Sequence, residues 1–433
     1  MDTYAVRPVF AGPFSYFDLT LDVPGSKSIT NRALMLAALA DGKSRLEGVL
    51  FSDDSRHFLD CLKDLGFDLE IDEAERTVSV TGLGGRLPLR EASVNVGSAG
   101  TAARFLTAML GFAPGIWHLD ASEQMRRRPM GPLLKTLRTL GVTVRCEGEE
   151  DHFPFTLISE GISADSATIN IDDSSQFLSA MLMASVMSGR PFAVTMTGSH
   201  GFAYVRMTME MMRQFGVPVD MPEPGRCIVD GRKILKAASY RIEPDVSAAC
   251  YFYGAAAISG GSICVRGVQE DSLQGDLALL KVLESMGCTL ENAEAGIRLT
   301  GPADGHLKGI DVDMHAFSDQ ALTLAAIAPF AGSPVCIRNV GHIRLQECDR
   351  CAAITDALSR MGIRAEVSGD DITIWPGDPA PARIRTFGDH RVAMAFALTG
   401  LRAPGIIIED PACCRKTFEN YFDVLDGLCD RIR

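Results

Sequence analysis

The sequence lacks the features of several large classes of protein. It has no excess of positive charge, since its 433 residues carry a formal net charge of −13, and this argues against a general nucleic-acid-binding surface. It has no uninterrupted apolar run approaching the roughly 20 residues that a membrane-spanning helix needs. The opening residues 1–10 do not resemble a secretion signal. These absences favour a protein that acts in the cytoplasm, on neither nucleic acid nor membrane.

The common metal and nucleotide motifs are also absent. We find no H-E-x-x-H, no G-x-G-x-x-G and no G-x-x-x-x-G-K-[ST], although PGSKS imitates the last of these without its spacing. Cys348 and Cys351 form a C-x-x-C within a segment that reads as helix, and no second pair accompanies it. Zinc is therefore not expected. The twelve cysteines are scattered through mostly apolar segments, which predicts reduced, buried thiols.

What the sequence does contain is a repeated unit. Similar phrases recur at intervals of 75, 75, 71 and 75 residues, each with one glycine: Gly66, Gly141, Gly216, Gly287 and Gly362. Glycine is common where a helix ends, because it adopts the left-handed conformation found there. A sixth copy, NYFDVLDGLCD, stands near the C-terminus. A fixed period predicts one supersecondary unit that is stacked repeatedly. The functional site is then expected where equivalent ends of the copies meet.

Each unit has the same internal order: polar residues, an apolar helix, a short strand and a second helix, usually followed by a strand pair. The six opening helices are SKSITNRALMLAALA, SAGTAARFLTAML, SSQFLSAMLMASV, DVSAACYFYGAAAI, SDQALTLAAIAPFA and GDHRVAMAFALTG. They are apolar nearly all round, which predicts that they are buried. The fold class is therefore α/β (α+β).

Polar side chains nevertheless stand at the N-terminal ends of these helices: Lys27, Ser28, Arg32, Thr101, Arg104, Ser174, Ser175, Gln176, Asp245, Asp319, His390 and Arg391. Helix N-termini suit anions. Basic clusters at 126–129, 344–350 and 415–416 likewise favour a small anionic ligand over a polymer. Simpler interpretations stay open: solvated arginines, helix caps at Ser174, Ser175, Asp245 and Asp319, a structural His390, and Arg104 paired with a nearby carboxylate.

Six units divide most simply into two domains of three. The segment FDLTLDVP predicts a strand that can pair with the C-terminal half, and YRIEPD provides a crossing. We therefore expect one domain of residues 26–241 and a discontinuous domain of residues 1–25 and 242–433. The helix N-termini would face a cleft between the domains, where ligands commonly bind and which can close on a substrate.

The motifs resemble those of one enzyme family. VPGSKSITNRALMLAALADG is similar to the opening motif of the 5-enolpyruvylshikimate-3-phosphate (EPSP) synthases. Further similar segments follow in order over nearly the whole chain: SAGTAARF, SEQMRRRPMGP, DDSSQFLSAMLMA, PDVSAACYF, SDQALTLA, QECDRCAAI, FGDHRVAMAFAL and CRKTFENYFDVL. The resemblance implies two similar domains, each of three βαβαββ units with buried parallel helices, and an active site in the cleft.

The resemblance also implies a reaction. The enolpyruvyl group of phosphoenolpyruvate passes to the 5-hydroxyl of shikimate 3-phosphate, releasing phosphate, in the shikimate pathway to chorismate and the aromatic amino acids. No metal or cofactor is expected, and we expect a monomer. Gly100 predicts sensitivity to glyphosate, because an alanine in tolerant members would crowd the inhibitor.

The resemblance assigns residues to each substrate. Phosphoenolpyruvate is surrounded by Lys27, Gly100, Arg128, Gln176, Arg350, Arg391 and Lys416. Shikimate 3-phosphate is held by Lys27, Ser28, Arg32, Ser174, Ser175, Gln176, Tyr204, Asp319 and Gln346. The catalytic residues are Lys27, Asp319 and Glu347. Asp319 is assigned to the 5-hydroxyl proton and Glu347, with Lys27, to the methylene carbon.

Five positions depart from the common family pattern, mostly on the acceptor side: Ser98, Phe105, Gly201, His342 and Gln346. A different acceptor therefore stays open. One such acceptor is UDP-N-acetylglucosamine, but the loop SEQMRRRP has no cysteine and Lys27 is followed by serine rather than asparagine. A non-catalytic protein that binds phosphorylated metabolites and a purely structural repeat protein are the remaining alternatives.

Overall fold

The structure is a computed structural model that describes residues 2–10, 17–198 and 201–432. Its strands are β1 Thr3–Ala5, β2 Asp18–Leu21, β3 Asp41–Glu47, β4 Asp68–Asp72, β5 Thr77–Leu83, β6 Glu91–Asn95, β7 Gly115–Asp120, β8 Thr143–Cys146, β9 Phe155–Ser159, β10 Ser166–Asn170, β11 Pro191–Thr197, β12 Val219–Glu223, β13 Arg226–Asp230, β14 Ser239–Arg241, β15 Ser262–Val265, β16 Thr289–Ala293, β17 Gly296–Thr300, β18 Asp311–Asp313, β19 Val335–Arg338, β20 Ala365–Ser368, β21 Asp371–Ile374, β22 Ala382–Ile384 and β23 Ile406–Glu409.

The α-helices are α1 Lys27–Leu39, α2 Asp53–Asp64, α3 Gly100–Phe112, α4 Glu123–Arg126, α5 Gly131–Thr139, α6 Gln176–Ala184, α7 Phe202–Gln214, α8 Val246–Ser259, α9 Ala278–Ser285, α10 Ala321–Ile327, α11 Arg350–Arg360, α12 His390–Arg402 and α13 Tyr421–Arg431. Short 3₁₀ helices cover Ser185–Ser188, Gly275–Leu277, His315–Gln320, Ala328–Phe330, Gly341–Leu345 and Pro411–Lys416. Within the described part of the chain, no helix has the length and apolar character needed to cross a membrane.

The chain divides into two compact units. The N-terminal unit is Gly25–Ile242, and the C-terminal unit combines Met1–Pro24 with Glu243–Arg433. Each unit contains three sheets, and each sheet has one parallel strand pair beside antiparallel neighbours. The predicted α/β (α+β) class is confirmed, and the sequence repeat corresponds to a repeated structural unit.

In the N-terminal unit the sheets have the strand orders β14-β3-β5-β4, β6-β7-β9-β8 and β10-β11-β13-β12. Strand β14 follows the third repeat in sequence, yet it pairs in parallel with β3 of the first repeat. The three repeats of this unit are thereby joined into one body.

In the C-terminal unit the orders are β16-β17-β15-β2, β18-β19-β21-β20 and β1-β23-β22. The strand predicted from FDLTLDVP is confirmed as β2, which pairs in parallel with β15 from Asp18 opposite Ser262 to Leu21 opposite Val265. The sixth repeat is the least regular: β1 completes its three-stranded sheet, and Gly427 lies inside α13 rather than at a helix end.

The opening helices are buried, as predicted. Every residue of α3 is buried, and in α1 the burial is continuous from Ile29 to Leu39. The fifth opening helix is not continuous, however. A 3₁₀ helix precedes α10, with a kink at Phe317 (φ −139°, ψ 42°), and a second one containing Pro329 follows it.

The repeated glycines end the second helix of each of the first five units, as predicted. Gly66, Gly141, Gly216, Gly287 and Gly362 have φ values of 85°, 94°, 91°, 110° and 74°. At the first of them, the Gly66 amide donates to the Lys63 carbonyl at 2.8 Å and the Phe67 amide donates to the Leu62 carbonyl at 3.0 Å. This is the Schellman arrangement, in which the left-handed residue lets the last carbonyls find donors.

Candidate active site

Arg32 is the centre of a polar cluster in the N-terminal unit. It lies one turn into the buried helix α1 and is only 1% exposed. Its Nε donates to Thr208 Oγ1 at 2.7 Å, its Nη1 to the Ser28 carbonyl at 2.9 Å and its Nη2 to the Tyr204 carbonyl at 3.2 Å. The helix N-terminus and the start of α7 thus hold one guanidinium between them.

No carboxylate among the described residues forms an ion pair with Arg32. Burial lowers the pKa of Arg32 to about 10, so the side chain keeps its charge at neutral pH. A buried charge without an opposite charge is costly. An anion placed beside Arg32 would offset that cost.

Ser175, Gly201 and Tyr204 meet close to this cluster. Gly201 has a φ of 65°, and a Cβ at that position would lie 2.6 Å from Ser175 Oγ and 3.9 Å from Tyr204 Cδ2. A side chain at 201 would therefore be strained and crowded, which accounts for glycine where the family has serine. Ser199 lies outside the described residues. The hydroxyl of Ser174 accepts from the Gln176 amide at 3.2 Å, whereas that of Ser175 makes no cap hydrogen bond.

Two guanidinium groups approach the first turn of α3. A Cβ on Gly100 would lie 2.8 Å from Arg128 Nη1 and 3.1 Å from Arg104 Nη1. Arg104 Nη2 donates to the Pro129 carbonyl at 3.0 Å. Glycine at 100 is thus needed for this close approach.

The neighbouring arginines of the RRRP segment point elsewhere. Arg126 pairs with Asp120 at 2.8 Å, and Arg127 pairs with Glu123; both pairs are exposed. For these two arginines the simpler interpretation, solvated surface charge, is correct, and the structure separates them from Arg128.

Lys27 begins α1, where a positive charge is unfavourable. Its Nζ lies 3.4 Å from Oδ2 of Asp54, which is 1% exposed and whose Oδ1 has no hydrogen-bond partner among the described residues. Sequence reasoning missed Asp54, because an acidic residue in the first turn of α2 reads as an ordinary partner of the helix dipole.

Gln176 adds a further acceptor to the N-terminal unit. It is the first residue of α6, and its Oε1 is a buried atom for which the described chain supplies no donor. A buried amide oxygen usually has a partner. This position therefore suits a ligand that carries a hydrogen-bond donor.

Arg350 is the centre of the second cluster, which lies in the C-terminal unit. This arginine begins α11 and is buried. Its Nε is 2.7 Å from Asp389 Oδ2, its Nη1 3.0 Å from Asp319 Oδ1 and its Nη2 2.9 Å from Glu347 Oε2. Gln346 Oε1 also accepts from Nη1. Burial lowers the pKa of Arg350, but the three carboxylates outweigh burial and raise it above its ordinary value.

Two further cations complete an alternating network. Arg391 Nη2 lies 2.8 Å from Asp319 Oδ2, and Lys416 Nζ lies 3.5 Å from Glu347 Oε1. Asp319 is thus shared by two guanidinium groups, and Glu347 by a guanidinium and an ammonium. Each carboxylate is held beside cations of the kind that can also bind a carboxylate or phosphate ligand.

The sequence interpretation missed the part played by Asp389. This residue is fully buried, caps α12 by accepting from the Arg391 amide at 2.8 Å, and pairs with Arg350. His390 is also buried, with Nδ1 3.7 Å from Asp389 Oδ1. The cap interpretation of Asp245 is confirmed, since it accepts from the Ala248 amide at 3.0 Å. The cap interpretation of Asp319 is wrong, because the N-cap of α10 is Gln320. Asp319 lies within the preceding kinked 3₁₀ helix, and its side chain contacts Arg350.

Two of the departures from the family pattern have visible partners. His342 Nε2 lies 2.7 Å from Ser318 Oγ, and its ring is edge-on to His315 at 5.2 Å between centroids. The ring of Phe105 lies under the Arg32 guanidinium, 5.2 Å from carbon to centroid, in a cation–π contact.

The cysteines form no site of their own. All twelve are free thiols. The sequence predicts helix throughout the C-x-x-C segment, but α11 begins at Arg350, so Cys351 lies in the helix and Cys348 precedes it. Over residues 2–10, 17–198 and 201–432, no group of three or more histidine, cysteine, aspartate or glutamate side chains is arranged to hold a metal ion.

The chain is similar to known proteins over nearly its whole length. Residues 14–425 match the family described as EPSP synthase (3-phosphoshikimate 1-carboxyvinyltransferase). The 3-phosphoshikimate 1-carboxyvinyltransferase of Nostoc punctiforme is 43% identical over 406 residues, which cover 94% of this chain and 95% of the relative. That of Trichormus variabilis is 42% identical over 423 residues, covering 98% of each.

Solved structures give the same result for the fold. EPSP synthase from Acinetobacter baumannii superposes with a TM-score of 0.82 at 25% identity, covering 98% of both chains. The enolpyruvyl transferase NikO from Streptomyces tendae superposes with a TM-score of 0.71 at 17% identity, covering 96% of this chain and 95% of the other. The second likeness concerns the fold alone.

Proposed function

Because this chain belongs to the EPSP synthase (3-phosphoshikimate 1-carboxyvinyltransferase) family, we propose that its two polar clusters supply the binding and acid–base groups of that family's reaction. The resemblance inferred from the motifs is confirmed, and so is the function inferred from it. The enzyme transfers the enolpyruvyl group of phosphoenolpyruvate to the 5-hydroxyl of shikimate 3-phosphate and releases phosphate, in the shikimate pathway to the aromatic amino acids.

The observation that carries the site proposal is that two carboxylates, Asp319 and Glu347, each contact two cations. Asp319 contacts Arg350 and Arg391, and Glu347 contacts Arg350 and Lys416, all within 3.5 Å. Phosphoenolpyruvate brings a carboxylate and a phosphate, and these three cations match both groups. Binding there would place both carboxylates within reach of the reacting atoms.

This arrangement supports an assignment of the proton transfers. Addition needs a proton on the methylene carbon of the enolpyruvyl group while the 5-hydroxyl loses its own, and elimination of phosphate returns the double bond as the methyl group gives up a proton. We assign the hydroxyl proton to Asp319 and the methylene proton to Glu347, with Lys27. The neighbouring cations stabilise the negative charge of the departing phosphate.

The acceptor is assigned to the cluster around Arg32. Its buried guanidinium, with neutral groups as its only contacts among the described residues, suits an anionic group of shikimate 3-phosphate. The backbone carbonyls of Ser28 and Tyr204 contact the guanidinium. We also assign Ser174 and Ser175 to shikimate 3-phosphate, and Gln346 to one of its hydroxyl groups.

The remaining assignments to phosphoenolpyruvate rest on the resemblance of the motifs to those of the family. We assign to phosphoenolpyruvate the contacts of Lys27, Gly100, Arg128 and the Gln176 amide group, and to a hydroxyl of shikimate 3-phosphate the Gln176 Oε1. The guanidinium of Arg128 beside Gly100 provides a planar pair of donors for a carboxylate or phosphate. We further propose that the enzyme acts as a monomer in the cytoplasm, where its phosphorylated substrates are metabolites.

Adjacent arginines allow a matched test of these assignments. In Arg128→Gln we expect the KM for phosphoenolpyruvate to rise at least about tenfold, because a charge-assisted hydrogen bond to the substrate is lost. Arg126→Gln changes the neighbouring surface pair and should leave both KM values unchanged. Arg32→Gln should raise the KM for shikimate 3-phosphate much more than that for phosphoenolpyruvate. Equal effects of Arg32→Gln and Arg128→Gln on both KM values would contradict the assignment.

A further inference from the structure

Asp276 is a buried carboxyl group that the mechanism above does not use. It lies in the 3₁₀ helix Gly275–Leu277, just before α9, and is 3% exposed. Its Oδ2 accepts from the hydroxyl of Ser247, on the first turn of α8, whereas its Oδ1 has no hydrogen-bond partner among the described residues. Burying a carboxylate in this way is costly, so its presence needs an explanation other than packing.

A chain of contacts joins Asp276 to the Arg350 cluster. Ser247 Oγ, which donates to Asp276, lies 3.4 Å from Arg391 Nη2. The same nitrogen lies 2.8 Å from Asp319 Oδ2. Ser247 and Asp319 therefore flank one nitrogen of a guanidinium assigned to phosphoenolpyruvate.

The charge of Asp276 decides how the Ser247 hydroxyl is oriented. A carboxylate can only accept a hydrogen bond, so the hydroxyl hydrogen points to Asp276 and the oxygen lone pairs are left for Arg391. A protonated carboxyl can itself donate to Ser247, which releases the hydroxyl hydrogen to turn towards Arg391. That orientation opposes the guanidinium N–H, so the position of Arg391 depends on the ionised form of Asp276.

We propose that Asp276 is a positioning residue for enolpyruvyl transfer, which acts through Ser247 to hold Arg391 in the orientation that binds phosphoenolpyruvate. The inference rests on the proposed function, since it takes Arg391 as a substrate-binding group. Asp276 touches no reacting atom in this scheme.

The surrounding charges make this carboxyl sensitive to pH. The charged groups that act on it are Asp319 of the kinked 3₁₀ helix, Arg391 of α12 and Asp245, the N-cap of α8. Lys281 and Glu284 of α9 pair with each other at the surface. Cys250 faces it as a neutral thiol, because burial raises the pKa of that thiol well above its ordinary value. Burial first, and the charge of Asp319 second, raise the pKa of Asp276 to about 6.

The test compares kcat/KM for phosphoenolpyruvate in the wild type and in Asp276→Asn from pH 5 to pH 8.5. Both substrates titrate in this range, but their ionisation cancels in the ratio of the two enzymes. We expect the ratio of kcat/KM in the wild type to kcat/KM in the variant to be about ten near pH 8, because a charge-assisted contact is lost in the variant. The ratio should fall towards one near pH 5, where the wild-type carboxyl is itself protonated.

Two further variants separate this role from a structural one. Ser247→Ala breaks the same chain by removing one hydroxyl, and it should show the same pH-dependent ratio; adding it to Asp276→Asn should cost little more, because residues in one network are not additive. Asp371→Asn is the control, since that carboxylate bonds Arg338 and the Asn339 amide, outside the chain of contacts. Its ratio should stay near one at every pH.

A ratio for Asp276→Asn that is constant with pH, or fully additive losses in the double variant, would overturn the inference. Should Asp276→Asn fail to fold, the pH profile of Ser247→Ala decides the question alone. A wild-type enzyme that does not turn over would overturn the proposed function and this inference together, whereas an active wild type with a constant ratio would overturn the inference alone.

Discussion

Replacing Asp389 by asparagine removes one negative charge and one acceptor oxygen from the Arg350 cluster. The carboxylate accepts from Arg350 Nε at 2.7 Å and from Nη2 at 3.3 Å, and it caps α12 by accepting from the Arg391 amide at 2.8 Å. Asparagine is an equally good cap. When the asparagine Oδ1 keeps the cap, its NH2 group faces Arg350 Nε, so the substitution preserves the cap and breaks the ion pair.

The expected cost can be estimated from the partners that remain. Removing one member of a buried ion pair costs about 3–5 kcal/mol. Arg350 keeps Asp319 and Glu347 at 3.0 Å and 2.9 Å, so we expect the lower end of that range, about 3 kcal/mol. Asp349→Asn is the matched control: Asp349 caps α11 through the Ala352 amide at 3.0 Å but is exposed, and its replacement should cost under about 0.5 kcal/mol.

Tryptophan fluorescence can report the C-terminal unit separately. The chain has two tryptophans; Trp117 lies in the N-terminal unit, and Trp375 lies in the C-terminal unit against Arg364. In a Trp117→Phe background, urea unfolding followed at Trp375 should show a midpoint about 1 M lower for Asp389→Asn, taking about 3 kcal/mol per molar urea. Equal midpoints for Asp389→Asn and Asp349→Asn would refute the claim that this ion pair stabilises the unit.

Two further predictions concern the N-terminal unit and pH. In Gly100→Ala the new Cβ would stand 2.8 Å from Arg128 Nη1, so we expect the guanidinium to shift. The KM for phosphoenolpyruvate should then rise and inhibition by glyphosate should weaken. A wild type insensitive to millimolar glyphosate, or a variant with unchanged KM and inhibition, would contradict this. Burial and the charge of Asp319 raise the pKa of Asp276 from 3.8 to about 6, so the wild type loses stability as pH rises from about 4 to about 6. Asp276→Asn should escape this loss and gain about 2–3 kcal/mol relative to wild type above pH 6, as measured by urea midpoints at pH 4.5 and pH 7.5; a gap that does not widen would argue against a buried, ionised carboxyl.

The features predicted correctly from the sequence are those set by local patterns. The glycines at 66, 141, 216, 287 and 362 end helices because only glycine enters the left-handed region there without strain. The opening helices could be recognised as buried because they are apolar on all faces. Strand β2 could be recognised because FDLTLDVP alternates, although its partner β15 could not be derived from the pattern.

Only part of the candidate site could be predicted from the sequence. Lys27 and Arg32 attract attention in the sequence because cations are unfavourable at helix N-termini. The tertiary fold sets the contacts of the site: Asp54, the partner of Lys27, and Asp389, the partner of Arg350, look like ordinary helix-start residues. The kink at Phe317, which turns Asp319 towards Arg350, has no local signal. Asp276 escaped notice for the same reason, since only the packing of its 3₁₀ helix against α8 brings it to Ser247.

The most direct test of the central claim is phosphate release from phosphoenolpyruvate by the purified protein, with shikimate 3-phosphate and UDP-N-acetylglucosamine offered in parallel and Lys27→Ala as the blank. The account predicts release with shikimate 3-phosphate alone and none in the blank, which would also show that His342 and Gln346 are compatible with this acceptor. Release with UDP-N-acetylglucosamine, or no release from a folded protein that binds shikimate 3-phosphate, would contradict it.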